Sequence, residues 1–281
     1  MTLDYEDKLL ITKMRIQQWY EHWDGQVYVA YSGGRDSTVL LHIVRSMYPD
    51  VVAVFNDTGL EFPEIKQFVK ATDNVIWLKP KMNYQKVVKT YGFAIISKEV
   101  SQKVNELKHT KSEKLRNIRL NGNEKGHGKL AVKWHHLAEA PFDISHKCCD
   151  ILKKNPAKLF EKETGLKPMI GVMMCESNLR MVKGHTEQCN MYDIKRPTSK
   201  PLNKWTQNDI QHYIKDNALK VSDIYAMGYE RTGCAWCAFG VHLEKNSRFK
   251  LLKRTHPKIW NYAINKMGLK VPLEYLGIEF E

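Results

Sequence analysis

The sequence predicts an α/β fold, a doubly wound and mostly parallel sheet followed by a helical C-terminal part. Three observations point to it. Short apolar runs alternate with stretches of helical spacing through about the first ninety residues. A glycine pair stands at a strand-to-helix corner in "YSGGRDSTVLL", Tyr31 to Leu41. The 281 residues, 43% of them hydrophobic, suffice for one large domain or a domain with a smaller lobe.

The elements follow in order. Residues 4–23 form an amphipathic helix, with Leu9, Ile11, Met14, Ile16, Trp19 and Tyr20 as its candidate buried residues. "QVYVAY" is the first strand and "STVLLHIVRSMY" the next helix. "DVVAVFN" is the second strand. "FPEIKQFVKAT" is a helix with Pro63 near its start, where a missing N–H costs little. "NVIWLK" is the third strand, and a helix runs from about Asn83. From Ser97 the chain turns polar and basic; its first half keeps helical spacing, and "NGNEKGHG" reads as a loop. "CDILKKNPAKLFEKE" returns to helix, and "KPMIGVMMC" reads as a strand ending at Cys175. "WTQNDIQHYIKDN" is a helix capped by Thr206, with Asp209 at capping-box spacing. Two more helical segments lie between about Glu244 and Lys266. The expected division is an α/β nucleotide-binding domain over 1–240, with a basic insertion at 97–147, and a helical segment at 241–281.

The net charge is +13. Such a balance favours polyanionic partners, or else describes a lysine-rich solvated surface. The 98–133 segment is correspondingly a solvated insertion or a nucleic-acid-facing arm. No aromatic residue interleaves its lysines until Trp134. No apolar run is long enough to span a bilayer, and the N-terminus lacks a secretion-signal pattern, so a cytoplasmic protein with no membrane partner is expected. Six cysteines in that compartment point to metal or sulfur chemistry rather than disulfides.

The glycine pair explains itself as a phosphate cradle. Gly33 and Gly34 let the main chain approach a ligand closely, and the amides of Gly34 to Ser37 face an anion together with the helix N-terminus. Ser37 and Thr38 offer hydroxyl hydrogens to the same oxygens. The loop lacks the G-x-x-x-x-G-K-[ST] pattern and is too short for a dinucleotide fingerprint.

"SGGRDS" resembles the SGGxDS loop of the PP-loop ATP pyrophosphatases, of the adenine nucleotide α-hydrolase-like superfamily with its HUP-type fold. The resemblance implies that Tyr31, Ser32, Gly33, Gly34, Arg35, Asp36, Ser37 and Thr38 hold the pyrophosphate part of ATP, with Mg²⁺, while a nucleophile attacks the α-phosphorus. Asp36 is then a loop brace or an indirect metal partner. "FNDTGLEFPEI", "GVMMCESNLR" and "PLNKWTQNDIQHYIKDNAL…IYAMGYERTGCAWCAFG" resemble the phosphoadenosine-phosphosulfate (PAPS) reductase and ATP sulfurylase branch. They imply nucleotide contacts from Phe55, Asp57, Thr58, Ser177 and Arg180; Met173 stands where the branch usually has arginine. Asp36, Ser37, Arg180 and Cys175 are the candidate catalytic residues.

Cys148–Cys149 and Cys234–Cys237 match the pattern that binds a [4Fe–4S] cluster in adenylyl-sulfate reductases of that branch. Four-cysteine zinc and unliganded thiols are the alternatives. Lys147 and Arg231 are expected to lower the thiol pKa values. Cys175 either carries a persulfide or is a small buried hydrophobe, and Cys189 is read the same way. An intact loop, and a final "VPLEYLGIEFE" without the cysteine that branch reductases place near the C-terminus, favour an ATP user. The sequence resembles most the iron–sulfur ATP pyrophosphatases of DNA phosphorothioation. That implies a transferase that adenylates an acceptor and then displaces AMP with persulfide sulfur. The implied partners are nucleic acid, DNA more than tRNA, and a cysteine desulfurase as sulfur donor, with oligomerisation left open. The alternatives are an adenosine 5'-phosphosulfate (APS) or PAPS reductase, and a non-catalytic nucleotide-binding module.

Overall fold

The computed structural model describes residues 3–176, Met181 and 189–281. The chain divides into two compact units, each discontinuous in sequence. The first comprises residues 1–57, 61–79 and 156–232, and the second residues 58–60, 80–155 and 233–281.

The first unit holds a six-stranded sheet of order β3-β2-β1-β5-β7-β6. At its centre β1 (Val27–Tyr31) pairs in parallel with β2 (Ala53–Asn56) on one side and β5 (Lys167–Ile170) on the other. The strand β3 (Val75–Leu78) joins β2 in parallel. Beyond β5 lie β7 (Thr198–Ser199), parallel to it, and β6 (Asn190–Met191), antiparallel to β7. A strand covered on both faces must be apolar throughout, and Val27, Tyr28, Val29 and Tyr31 are all buried. The strand order reverses beside β1, so the loop leaving β1 stands at a topological switch point, where open α/β sheets bind ligands.

Helix α1 (Tyr5–His22) starts where the Asp4 carboxylate accepts the Asp7 N–H at 2.8 Å. Its buried face is Thr12, Ile16 and Trp19, whereas Met14 is half exposed, contrary to the sequence expectation. Thr12 takes the inner position because its hydroxyl donates to the Pro201 carbonyl at 3.1 Å and accepts the Trp205 indole N–H at 2.9 Å. Helix α2 (Arg35–Met47) follows β1 and buries Val39, Leu40, Ile43 and Val44. Helix α3 (Pro63–Lys70) has its proline in the first turn, as expected. The strand expected to reach Cys175 ends at Ile170, and Met174–Glu176 is a 3₁₀ turn. A further helix, Gln207–Asp216, carries the full Thr206–Asp209 capping box, and Lys8 Nζ reaches the same carboxylate at 2.8 Å. A cap of this kind contributes about 1 kcal/mol.

In the second unit α4 (Tyr84–Tyr91) precedes β4 (Ile95–Ile96), which pairs in parallel with β8 (Ala238–Phe239). Helices α5 (Lys98–His109) and α6 (Glu113–Asn121) are capped by Ser97 and Ser112. A 3₁₀ segment spans Val132–Glu139. The helical turn Lys147–Cys149 runs into a π-helical stretch, Asp150–Lys154; the helix Asn155–Thr164 belongs, but for Asn155, to the first unit. The C-terminal part adds Arg248–Thr255, Pro257–Asn261 and Lys270–Tyr275, the last not anticipated. Ile95, Ile96, Val104, Leu137, Phe249 and Leu252 are buried in this unit, and the expected division near Gly240 falls inside it. Among the described residues no helix is long and apolar enough to cross a membrane.

Candidate functional site

The β1–α2 corner is built on close backbone approaches. Gly33 adopts φ +71°, and a Cβ there would lie 2.8 Å from Val69 Cγ2 and 3.1 Å from Ile65 Cγ2 of α3. Only glycine meets both demands. A Cβ on Gly171, just past β5, would lie 3.1 Å from the Asp36 carbonyl oxygen, so the first turn of α2 rests directly on that glycine. Gly34 is the N-cap of α2 and gives it no side-chain cap. The cap comes from far along the chain: the Arg35 N–H donates to the Tyr225 hydroxyl at 2.8 Å. The Arg35 guanidinium lies 3.7 Å from the centre of the same ring. Thr232 Oγ1 stands 3.3 Å from the Tyr225 hydroxyl and would meet a Gly34 Cβ at 2.6 Å. Burial pushes the Tyr225 hydroxyl up, so it is a proton donor at neutral pH.

The loop hydroxyls are engaged within the loop. Ser37 Oγ and Thr38 Oγ1 donate to the Gly34 carbonyl at 3.0 and 2.9 Å, rather than pointing outward as the sequence suggested. The Ser32 N–H donates to Ser37 Oγ at 3.2 Å, and the Gly34 N–H to Ser32 Oγ at 3.3 Å. Ser32 itself is exposed at the loop mouth. Tyr31 points away: its hydroxyl pairs with Thr72 Oγ1 at 3.2 Å.

The second nucleotide stretch is mixed. Phe55 is a core residue, edge-on to Trp77 with ring centres 4.7 Å apart. Asp57 forms an ion pair with Lys66 at 2.7 Å, and the buried Thr58 accepts the Leu60 N–H at 3.2 Å. Between them Asn56 Oδ1 is buried without a hydrogen-bond partner among the described residues. Buried polar atoms are nearly always paired, so this acceptor is open to a hydrogen-bond donor. Met173 is fully buried, so this position belongs to the core. Ser177 and Arg180 lie outside the described residues. Cys175 is exposed, and its thiol donates to the Trp205 carbonyl at 3.4 Å. Burial, then Glu176 and Asp36, push that thiol up. Cys189 is half-buried.

The four paired cysteines all belong to the second unit. Burial pushes the Cys148 thiol up, and repulsion from Cys234, Cys149 and Cys237 adds to it. Burial raises Cys149 likewise, with Cys237 adding. This reverses the expected lowering. The cations acting on these thiols are Lys153 and Lys98, in place of the expected Lys147 and Arg231, and they do not outweigh burial. Tyr84 is raised by burial and by Cys148, Cys237 and Cys234, so its hydroxyl shares the pocket. The Trp236 indole N–H, between Cys234 and Cys237, is buried without a partner among the described residues. Among the described residues no three His, Cys, Asp or Glu side chains stand grouped to hold a metal ion.

Sequence reasoning missed Tyr225, Thr232 and Gly171 as individual residues, because only tertiary structure brings them to the loop. Asn56 lies within the Phe55–Thr58 stretch expected to position the nucleotide, a polar residue ending an apolar strand at the carboxyl edge of the sheet.

A protein of Methanocaldococcus jannaschii of uncharacterized function is 26% identical over 251 residues, covering 87% of this chain but 42% of the relative's length. The chain thus spans less than half of that relative. The adenosine 5'-phosphosulfate reductase of Geobacillus kaustophilus is 24% identical, covering 78% of this chain and 75% of its own. That of Anoxybacillus flavithermus is 25% identical, covering 84% and 83%. Among solved structures, a phosphoadenylyl-sulfate reductase of Candida auris aligns over 83% of this chain and 97% of its own, with TM-score 0.46 and 17% identity. The phosphoadenosine phosphosulfate reductase domain matches residues 26–239, from the start of β1 to the end of β8, and the chain belongs to that family.

Proposed function

We propose that this chain is an enzyme that binds an adenosine phosphosulfate at the β1–α2 corner and releases sulfite from it. The observation that supports this reading is the corner itself, where a left-handed Gly33 and the close-packed Gly171 set the first turn of α2 at the carboxyl end of β1, the kind of helix start that binds phosphate. The AMP phosphate would sit there, with Arg35 adding a cation and Asn56 Oδ1 accepting a donor from the nucleoside. Cys175, exposed in the same unit, is the proposed nucleophile. Its thiolate attacks the sulfur, the sulfur–oxygen bond breaks, and AMP leaves with the electron pair. A thiol reductant then attacks the Cys175 sulfur, releasing sulfite and leaving a mixed disulfide. The raised Cys175 pKa makes the first step faster as pH rises toward the thiol pKa.

A second reading rests on the complete Ser32-Gly33-Gly34-Arg35-Asp36-Ser37 run, which offers donors for more than one phosphate. Here ATP and Mg²⁺ bind, a nucleic-acid oxygen attacks the α-phosphorus and pyrophosphate leaves; the outer sulfur of a persulfide supplied by a cysteine desulfurase then displaces AMP, and a thiol reductant cleaves the resulting sulfur–sulfur bond. In either reading Cys148, Cys149, Cys234 and Cys237 are proposed to hold a [4Fe–4S] cluster, with zinc as the rival occupant. What supports it is the residue type and spacing of the four cysteines, the charge that Cys234 and Cys237 exert on the Cys148 thiol, and the unpartnered Trp236 indole N–H that lies between Cys234 and Cys237 in sequence. When bound, a cluster supplies a redox-capable iron–sulfur cubane, while Tyr84 and Trp236 keep water from the thiolates.

Incubation with APS, PAPS and Mg·ATP in parallel tests both readings. Sulfite release with a thiol reductant, lost in Cys175→Ser, supports the first. Pyrophosphate release from ATP selects the second. Absence of binding to all three nucleotides refutes both.

A further inference from the structure

The charge of this protein is divided unevenly. The first unit carries twenty basic and twenty acidic side chains, and the second carries 24 basic and 11 acidic. The entire net charge of +13 therefore resides in the second unit. Many lysines of the α5–α6 region are already engaged: Lys103 with Glu99, Lys108 with Asp143, Arg119 with Glu106. A polyanion needs free cations and, if it is to be held by more than charge, something to stack on.

Tertiary structure supplies that surface where the sequence showed none. The 3₁₀ segment Val132–Glu139 meets the C-terminal residues His242 and Tyr275. Trp134 lies edge-on to His242, ring centres 5.4 Å apart, and 6.3 Å from His136. His136 stacks on Tyr275 at 5.8 Å with planes 26° apart, and the Tyr275 hydroxyl donates to the His136 carbonyl at 3.1 Å. The rings are not sealed: His136 is exposed and Tyr275 is 38% exposed. At the rim Leu243 is 78% and Val132 68% exposed, and Lys133 Nζ lies 5.1 Å from the Trp134 ring. A row of accessible flat rings, rimmed by apolar side chains and cations, is how proteins hold unpaired bases.

We propose that this aromatic row on the second unit binds a single-stranded segment of nucleic acid, its bases stacking on Trp134, His136 and Tyr275 and its phosphates facing Lys133 and neighbouring lysines. It extends the nucleic-acid acceptor of the second reading to a named surface. The net positive charge of the unit attracts any polyanion, but the rings select one that carries bases.

The test uses the full chain and fluorescence anisotropy with a labelled twenty-base single strand, the matching duplex, and a labelled inorganic polyphosphate. The expected order is single strand tightest. Its log-affinity should fall against log-salt with a slope of about −2 or steeper, as for three or more phosphates at about 0.7 each. Trp134→Ala and Tyr275→Ala should each weaken the single strand about tenfold and leave polyphosphate unchanged. Tyr275→Phe, which keeps the ring, should remain within about twofold. If Tyr275→Ala fails to fold, Tyr275→Leu preserves the packing on Phe142 and gives the same reading. Equal binding of polyphosphate and single strand, a preference for duplex, or unchanged affinity in the folded aromatic variants would each overturn the proposal. The assay involves no turnover and no mononucleotide. A chain that binds the strand but neither APS nor ATP refutes the nucleotide reading alone.

Discussion

Replacing Gly33 by alanine should unfold the nucleotide corner before it changes any chemistry. Two costs add at this position. The backbone sits at φ +71°, in the left-handed region that disfavours a side chain by about 1–2 kcal/mol. The new Cβ would lie 2.8 Å from Val69 Cγ2 and 3.1 Å from Ile65 Cγ2, and Val69 and Ile65 are both buried, so neither can swing aside. Overpacking of that kind costs about 1–3 kcal/mol. The expected loss is about 2–5 kcal/mol, a large part of a typical domain's stability. Gly34→Ala is the matched control. Its φ is −82°, ordinary for alanine, and its contact, 2.6 Å, is with the end of the Thr232 side chain, which can rotate. It should lose about 1 kcal/mol, comparable to one hydrogen bond. Urea unfolding of the two variants, followed by fluorescence and circular dichroism, measures the difference. Nucleotide binding by calorimetry then reports whether the surviving fold still grips phosphate. A Gly33→Ala protein as stable as wild type would refute the reasoning, as would a Gly34→Ala protein less stable than Gly33→Ala.

Other expectations follow from the same contacts. Tyr225→Phe keeps the ring under Arg35 but removes the acceptor of its N–H, so stability should fall by about 1 kcal/mol and hydrogen exchange at the Arg35 amide should quicken; unchanged exchange would dismiss the cap. At Asp209 burial raises the pKa, but bonds from Lys8 and Thr206 more than reverse it, so the folded value lies below the ordinary one. Its contribution is therefore present above about pH 4 and is lost as pH falls through the folded pKa. Asp209→Asn should flatten the acid limb of a stability–pH curve below about pH 4, and an unaltered slope would count against the assignment. Protein purified anaerobically should contain iron and sulfide and absorb broadly near about 400 nm, with Cys148→Ser and Cys234→Ser losing both; colourless protein with stoichiometric zinc would assign the pocket to zinc instead.

Where the sequence could be read, it was because a local rule decided the structure. Thr206 and Asp209 announce their capping box in four residues, and Pro63 marks a helix start by its missing N–H. Gly33 was legible as a backbone requirement. The end of β5 was not, because the apolar run continues through Val172 and Met173 while the packing of Gly171 on Asp36 turns the chain out of the sheet. The helix Lys270–Tyr275 was hidden by Pro272, which reads as a breaker yet sits in the first turn, where its N–H would have had no partner. The direction of the Cys148 and Cys149 pKa values was not legible either. Neighbouring lysines in sequence suggest lowering, and burial, which spacing does not reveal, decides for raising. The roles of Tyr225 and the Trp134–Tyr275 row depend on segments far apart in the chain, and no window of sequence contains them.

The parallel pairing of Ile95 with Ala238 has a consequence for synthesis. While the ribosome is still making the middle of the chain, residues 80–155 have no partner strand and no mate for Cys148 and Cys149. They must wait as an exposed, strongly cationic intermediate until residues 233–281 emerge. Long-range pairing of this sort folds slowly and leaves apolar surface open to aggregation. Chaperone dependence should therefore be concentrated in the interval before Cys237 is translated.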